Sequence, residues 1–510
     1  MGRTSKETIK RWCALGLLLP LSCKAACGQE HRAHGAAGSL GTVEFRVSCT
    51  AKAQESFTRG VALLHSFTYT ESAEAFRDSA ARDSRCAMAH WGLAMTEYHQ
   101  LWDPWPGPAE LQRGFAEIQK ARELKPATPR EKEFVEALGK FYDGWEKQGH
   151  AARAKTYRDA MGGVYERNPK DQEAAIFYAL ALVGTAAPED KTYDNQRKAA
   201  AILEPLFAAY PDHPGAAHYL IHAYDNPALA SQGVTAARAY SKIAPDLPHA
   251  LHMPSHIYTR LGLWEESISS NVAAVAAARK HGDRGDEFHA LDYLVYAYLQ
   301  LGRNDEAEKI RDNLPAVGKE NPSSLFKIHY ARAAIRARCA LEQHQWKEAE
   351  NLEPDPEAEP QVAAISHWAA ALGAVHAGDL QAARQHAEQV RRLSGELEGK
   401  GDAYWAEQVA IQGKEAGGWV AFAEHRTYDA FRLLRMAADH EDAAEKHAVT
   451  PGAIRPAREL FGDLLMEMNR PKEALTAYRQ VLITAPGRRN ALKGAADAAQ
   501  MAGMSGKLHE

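Results

Sequence analysis

Two pairs of histidines carry the chain's most distinctive chemistry. His218 and His222 are four residues apart, as are His252 and His256. On a helix this spacing sets both imidazoles on one face, where they reach a single ion. His218 to His252 and His222 to His256 are each 34 residues, so the two pairs are related by one fixed step. Forty residues beyond His249, His252 and His256 stand His289, Asp292 and Tyr296, and Asp225 follows the first pair. The candidate metal ligands are therefore His218, His222, His249, His252, His256, His289, Asp225 and Asp292. Imidazole with carboxylate and no thiolate suits zinc, copper, nickel or iron rather than calcium. Two blander readings stand beside a metal: contact with an acidic peptide, or structural hydrogen bonding. Neighbouring imidazoles repel when protonated and so need a compensating partner.

Other candidates are single residues. His65, Glu97 and His99, near Trp102 and Trp105, either line the N-terminal end of a groove or belong to a packed cap. Glu459 and Asp463 are expected to face the same groove as solvated charges, and Tyr296 to face it as a phenol. Glu445, His447 and Thr450-Pro451-Gly452 read as a helix end and turn, where a histidine complements the helix dipole. His329, His367 and His376 stand alone and read as ordinary helix residues. No Walker loop, dinucleotide fingerprint, G-x-S-x-G elbow or HExxH is present. No catalytic residue is assigned.

The elements that must position these groups are repeats of 34 residues. Leu460-Phe461-Gly462, Ala474, Tyr478 and Pro486 resemble the tetratricopeptide repeat (TPR), with a small residue at position 8, Ala at 20, an aromatic at 24 and Pro at 32. Gly60, Ser72, Phe76 and Ser84 fit the same positions, and Gly92 opens a second repeat. Gly262 with Ser267, Gly302 with Ala307, and Gly378 with Ala383 continue the register. The resemblance implies an all-α, right-handed solenoid of helix pairs with a concave groove lined by first helices, where positions 2, 5, 9 and 12 place the histidines with Asp225, Asp292 and Tyr296. Thr128-Pro129-Arg130-Glu131 reads as a capping box, so helices continue where the signature fades. Loops are expected at Ala186 to Gln196 and Lys280 to Asp286, and an acidic linker at Glu353 to Glu357.

The strings HYLIHAYD (218–225), HALHMPSHIY (249–258), HALDYLVYAYLQ (289–300) and EKHAVTPG (445–452) resemble a group of exported bacterial TPR proteins without established activity. The last string usually has Pro where this chain has Ala448. The expected organisation is a signal peptide (1–28), a flexible segment (29–48), N-terminal repeats (49–103), a divergent helical region (104–212), His-rich repeats (213–345), C-terminal repeats (346–503) and a tail (504–510).

Arg3, Lys6, Lys10 and Arg11 precede the apolar run 12–21, the layout of a secretory signal peptide, with cleavage expected near Gly28. A periplasmic or secreted protein is the expectation, with lipidation at Cys23 or Cys27 as the second reading. Cys49, Cys86 and Cys339 then remain in an oxidising compartment. Cys49 and Cys86 each begin a helix of neighbouring repeats and are the expected disulfide, leaving Cys339 as a buried thiol. The 510 residues are 45% hydrophobic and 25% charged, as in soluble globular proteins. A net charge of -5 without long runs of one sign removes the footprint of a nucleic-acid binder.

Two function classes fit these observations. One is an exported scaffold holding a peptide or protein partner in its groove. The other is a metal-dependent enzyme, hydrolase-like, or a metal carrier using the histidine cluster, with Asp225, Asp292 and Tyr296 as the nearby base candidates.

Overall fold

Some helices start at a side-chain cap and some end at or beside a glycine. Thr128 accepts from the Glu131 N–H while the Glu131 carboxylate accepts from the Thr128 N–H, a capping box with Pro129 at the first helical position. Gly262, Gly302 and Gly378 take positive φ at the hairpin turns between paired helices, a conformation that costs other residues energy. The computed structural model describes residues 39–101, 105–318, 320 and 322–504, which carry 24 α-helices and no strand. The expected signal peptide lies outside the described residues.

Successive helices pack as antiparallel pairs, and first helices pack against first helices of the next pair, the arrangement of an all-α TPR-like solenoid. The small residues explain the close crossing. A Cβ on Gly92 would sit 2.4 Å from the Phe76 ring, and one on Gly462 would sit 2.8 Å from the Tyr478 ring. The aromatic of one helix thus fills the space the glycine leaves on another. The apolar core follows the array as a series of clusters, from Val43–Ala181 at one end to Phe326–Ala499 at the other. Among the described residues no helix is long and apolar enough to cross a membrane.

Two expectations change. The loop at Lys280 to Asp286 is absent: helix Trp264–His281 runs almost directly into Arg284–Gln300, because Gly282 at φ +70 ends one and the Asp283 side chain caps the next. The extra residues lengthen helices instead. Residues 39–48 of the segment expected to be flexible are packed: Phe45 is buried among Phe57, Phe134 and Trp91, with the Arg130 guanidinium 4.4 Å from its ring. Cys49 and Cys86 form a disulfide with Cα atoms 5.1 Å apart, and Cys339 is a buried free thiol.

The array also turns back on itself. Ala51–His65 meets Pro214–Tyr224, and Arg284–Gln300 meets the last helix, Arg489–Met501. The connection 444–456 reaches across this turn. The Glu445 N–H donates to the Pro188 carbonyl, and its carboxylate accepts from Lys191, Tyr193 and Arg260. Arg338 donates to Thr450 Oγ1 and to the Gly452 and Ala453 carbonyls. The loop therefore lies against first helices from several repeats.

Candidate metal centre

Helix Pro214–Tyr224 supplies His218 and His222, and the next first helix is broken by Pro254 into Pro248–His252 and Pro254–Arg260. Met253 keeps helical torsions across the break, so His252 and His256 still share a face. His289 comes from Arg284–Gln300. The six imidazoles form two trios, His218/His222/His249 and His252/His256/His289, each with one ligand atom per residue inside a 4.8 Å envelope. Each trio takes an i,i+4 pair from one first helix and a third histidine from the next. All six are at most 9% exposed. The trios abut: ring centroids of His222 and His256 are 6.1 Å apart, and those of His249 and His252 are 6.4 Å apart.

Hydrogen-bond partners on the far side of the rings fix where the protons are. His218 Nδ1 donates to the His65 carbonyl at 2.6 Å. His252 Nδ1 donates to Asn271 Oδ1 at 2.7 Å, the Asn271 amide nitrogen being directed at the Ser267 carbonyl. His256 Nδ1 donates to Asp225 Oδ2 at 2.8 Å. Burial lowers the pKa of all three, to about 3 for His218, so each ring is neutral with its one proton on Nδ1. His222, His249 and His289 are held well below the ordinary value, by burial first and then by neighbouring imidazoles. The Nε2 atoms of His252 and His256 are 3.0 Å apart, as are those of His218 with His222 and with His249. Between His252 and His256 there is no proton to share, so two lone pairs face each other. Two nitrogens bound to one ion at about 2.0–2.1 Å are themselves roughly 3 Å apart.

The carboxylates lie outside the trios. Asp225 sits behind His256 and also accepts from Arg260 (2.8 Å) and Lys446 (3.1 Å). Burial raises its pKa, but Lys446 and Arg260 outweigh this and hold it well below the carboxylate range. Asp292 is buried against Arg338, its Oδ1 accepting at 2.9 Å. Tyr296 is buried beside Trp264 and the Arg338 guanidinium. The third group, His65, Glu173 and His213, differs in kind. His65 contacts Tyr219 and Glu173, and His213 contacts Glu173 while its Nδ1 accepts from the Ala216 N–H. Each ring nitrogen there has a protein partner, and the network props the His65 carbonyl against His218.

Of the remaining expected groove residues, Glu97 is held by Arg113. Glu459 is corrected: it is fully buried and paired with Arg488 and Arg455, whereas Asp463 is part-exposed and accepts from Arg455 and Tyr478. Glu459 holds Arg488, which also pairs with Glu342 of an earlier repeat, rather than facing solvent. Asn271, Tyr293, Arg338 and Lys446 support the centre and were not singled out by sequence reasoning. Lys446 lies in the string EKHAVTPG, the one signal that points to it. A cavity of about 850 Å³ reaches His222 and Asp225, with Trp105, His150, Lys155, Tyr404, Trp405 and Lys446 among its walls.

Fold and site together define a helical array of TPR type enclosing paired histidine trios. No family model and no curated protein matches the chain. Among solved structures it is similar to a human IFIT1 dimer with m7Gppp-AAAA, at 14% identity over 89% of this chain and 98% of that one, TM-score 0.41. It is also similar to yeast Tom70, at 13% identity over 88% and 95%, TM-score 0.37. A third is the P58(IPK) TPR domain, at 11% identity over 90% and 100%, TM-score 0.22. These likenesses are of one long helical array to another, and nothing about ligand or partner follows from them.

Proposed function

We propose that this protein is a metal-dependent enzyme whose two histidine trios each hold one transition-metal ion and whose substrate is a small molecule entering the cavity beside His222. The observation that carries this reading is the facing Nε2 lone pairs of His252 and His256 at 3.0 Å. A cation between them turns repulsion into two bonds. Three protein ligands leave an open coordination position, the pattern of catalytic rather than structural sites. Burial of the trios favours an enzyme over a carrier, which must exchange its ion with partners. A peptide partner in the groove is the other reading of a helical array, but connection 444–456 lies against the first helices that would receive it.

The test is metal content. Untagged protein stripped with chelator and titrated with zinc, nickel or copper at neutral pH is expected to bind at least one of these metals, and His222→Ala with His256→Ala together to bind none at unchanged helical content. Failure to take up any of these metals overturns the proposal.

A further inference from the structure

The donor set of the paired trios also selects the metal. Six neutral imidazoles contribute no charge, and neither trio includes a carboxylate. Asp225 is engaged by Arg260 and Lys446, and Asp292 is paired with Arg338 through Oδ1. Two ions placed side by side here meet little compensating negative charge. At equal separation two dipositive ions repel about four times as strongly as two monopositive ones. The centre therefore disfavours a pair of zinc, nickel or iron(II) ions and accommodates a pair of copper(I) ions, for which imidazole is a good ligand. Ring centroids of the two trios approach to 6.1–6.4 Å, so the two sets of ligands stand side by side.

Resting on the metal-binding reading above, we propose that the two trios hold a pair of copper ions that together bind and reduce one dioxygen. Each copper(I) gives up one electron and becomes copper(II), so dioxygen receives two electrons and keeps its O–O single bond. A reductant of the hydroquinone class, admitted by the cavity at His222, returns two electrons and releases two protons, becoming the quinone. The two protons leave with the reduced dioxygen as hydrogen peroxide, and the sum is hydroquinone plus dioxygen giving quinone plus hydrogen peroxide. The flat walls of Trp105, Tyr404 and Trp405 suit an aromatic donor of this kind.

The experiment loads stripped, full-length protein with copper(I) under anaerobic conditions and then admits dioxygen. Two coppers per chain, uptake of one dioxygen per copper pair, and a copper(II) paramagnetic resonance signal at least tenfold weaker than the copper content are expected, because paired copper(II) ions couple. His222→Ala and His256→Ala each leave one trio intact. Each is expected to retain one copper, to show its full resonance signal after oxidation and to lose dioxygen uptake at least tenfold. Should one variant misfold by circular dichroism, the other decides. Full-intensity signals from two isolated coppers in the wild type, or no dioxygen uptake, overturn the proposal. Two tightly bound zinc or nickel ions with no copper(I) binding would overturn it while leaving the metal-binding reading in place, whereas uptake of no metal would overturn both.

Discussion

Lys446 and His256, 190 residues apart in the chain, meet on the same oxygen of Asp225: the Lys446 ammonium is 3.1 Å and the His256 Nδ1 2.8 Å from Oδ2. The lysine belongs to connection 444–456 and the histidine to the centre, so one carboxylate ties the loop to an imidazole. Burial brings the Lys446 ammonium down to about 8, Asp225 opposing that fall.

Asp225→Asn keeps the shape but removes the charge that holds the Nδ1 proton of His256. Groups behind a ligating histidine set its orientation and basicity, and their loss typically costs about 10–100-fold in metal affinity. A competition titration against a chelator is expected to show that loss with helical content unchanged. Unaltered affinity would mean that Asp225 does not orient a ligand.

Arg338→Met leaves Asp292 buried without its cation and removes three donations to residues 450–453. Breaking a fully buried ion pair by removing one partner costs about 3–5 kcal/mol. Urea unfolding followed by circular dichroism should show a midpoint lowered accordingly. A change below roughly 1 kcal/mol would show that the pair contributes little beyond its own desolvation.

Metal-free protein should lose stability in acid. Burial lowers His99 to about 4 and His150 to about 3, from 6.5. Below pH 6.5 the unfolded chain takes up protons that the folded one refuses, so stability falls as pH drops from 6.5 toward 4 and is fully present above 7. Each such group contributes a slope of at most about 1.4 kcal/mol per pH unit. Thermal melts between pH 4.5 and 8 provide the check, and a flat profile would contradict neutral burial of these rings.

The disulfide joins residues 37 apart. Closing a loop of that length restricts the unfolded chain by on the order of 4 kcal/mol in the chain-entropy model. Cys49→Ser with Cys86→Ser is therefore expected to be less stable by up to about that amount, with the helical spectrum retained. Equal stability would indicate that the N-terminal repeats are ordered in the unfolded state or held by packing alone.

Local signals were legible in the sequence. The 34-residue step between histidine pairs, the glycine and aromatic pattern explained by Gly92 against Phe76, and the capping box at Thr128 all depend on neighbours within a repeat or one repeat away. What sequence spacing did not convey was long-range. Glu445 meets Lys191 across 254 residues, and Arg488 meets Glu342 across 146. Residues that read as solvated charges on a single helix, Glu459 among them, are buried because the array folds back over them. Asp292 lines up with His252 by counting, yet Arg338 faces it from the following first helix and engages it there.

The cross-array contacts of 444–456 impose an order in time. A chain made from its N-terminus has all six histidines of the centre once residue 289 emerges, more than 150 residues before the loop exists. During that interval the trios can assemble from neighbouring repeats while the side that Lys446 and Thr450 later cover stands open. Synthesis and folding thus leave an interval in which that side of the histidine cluster stands uncovered, and it ends when the loop docks.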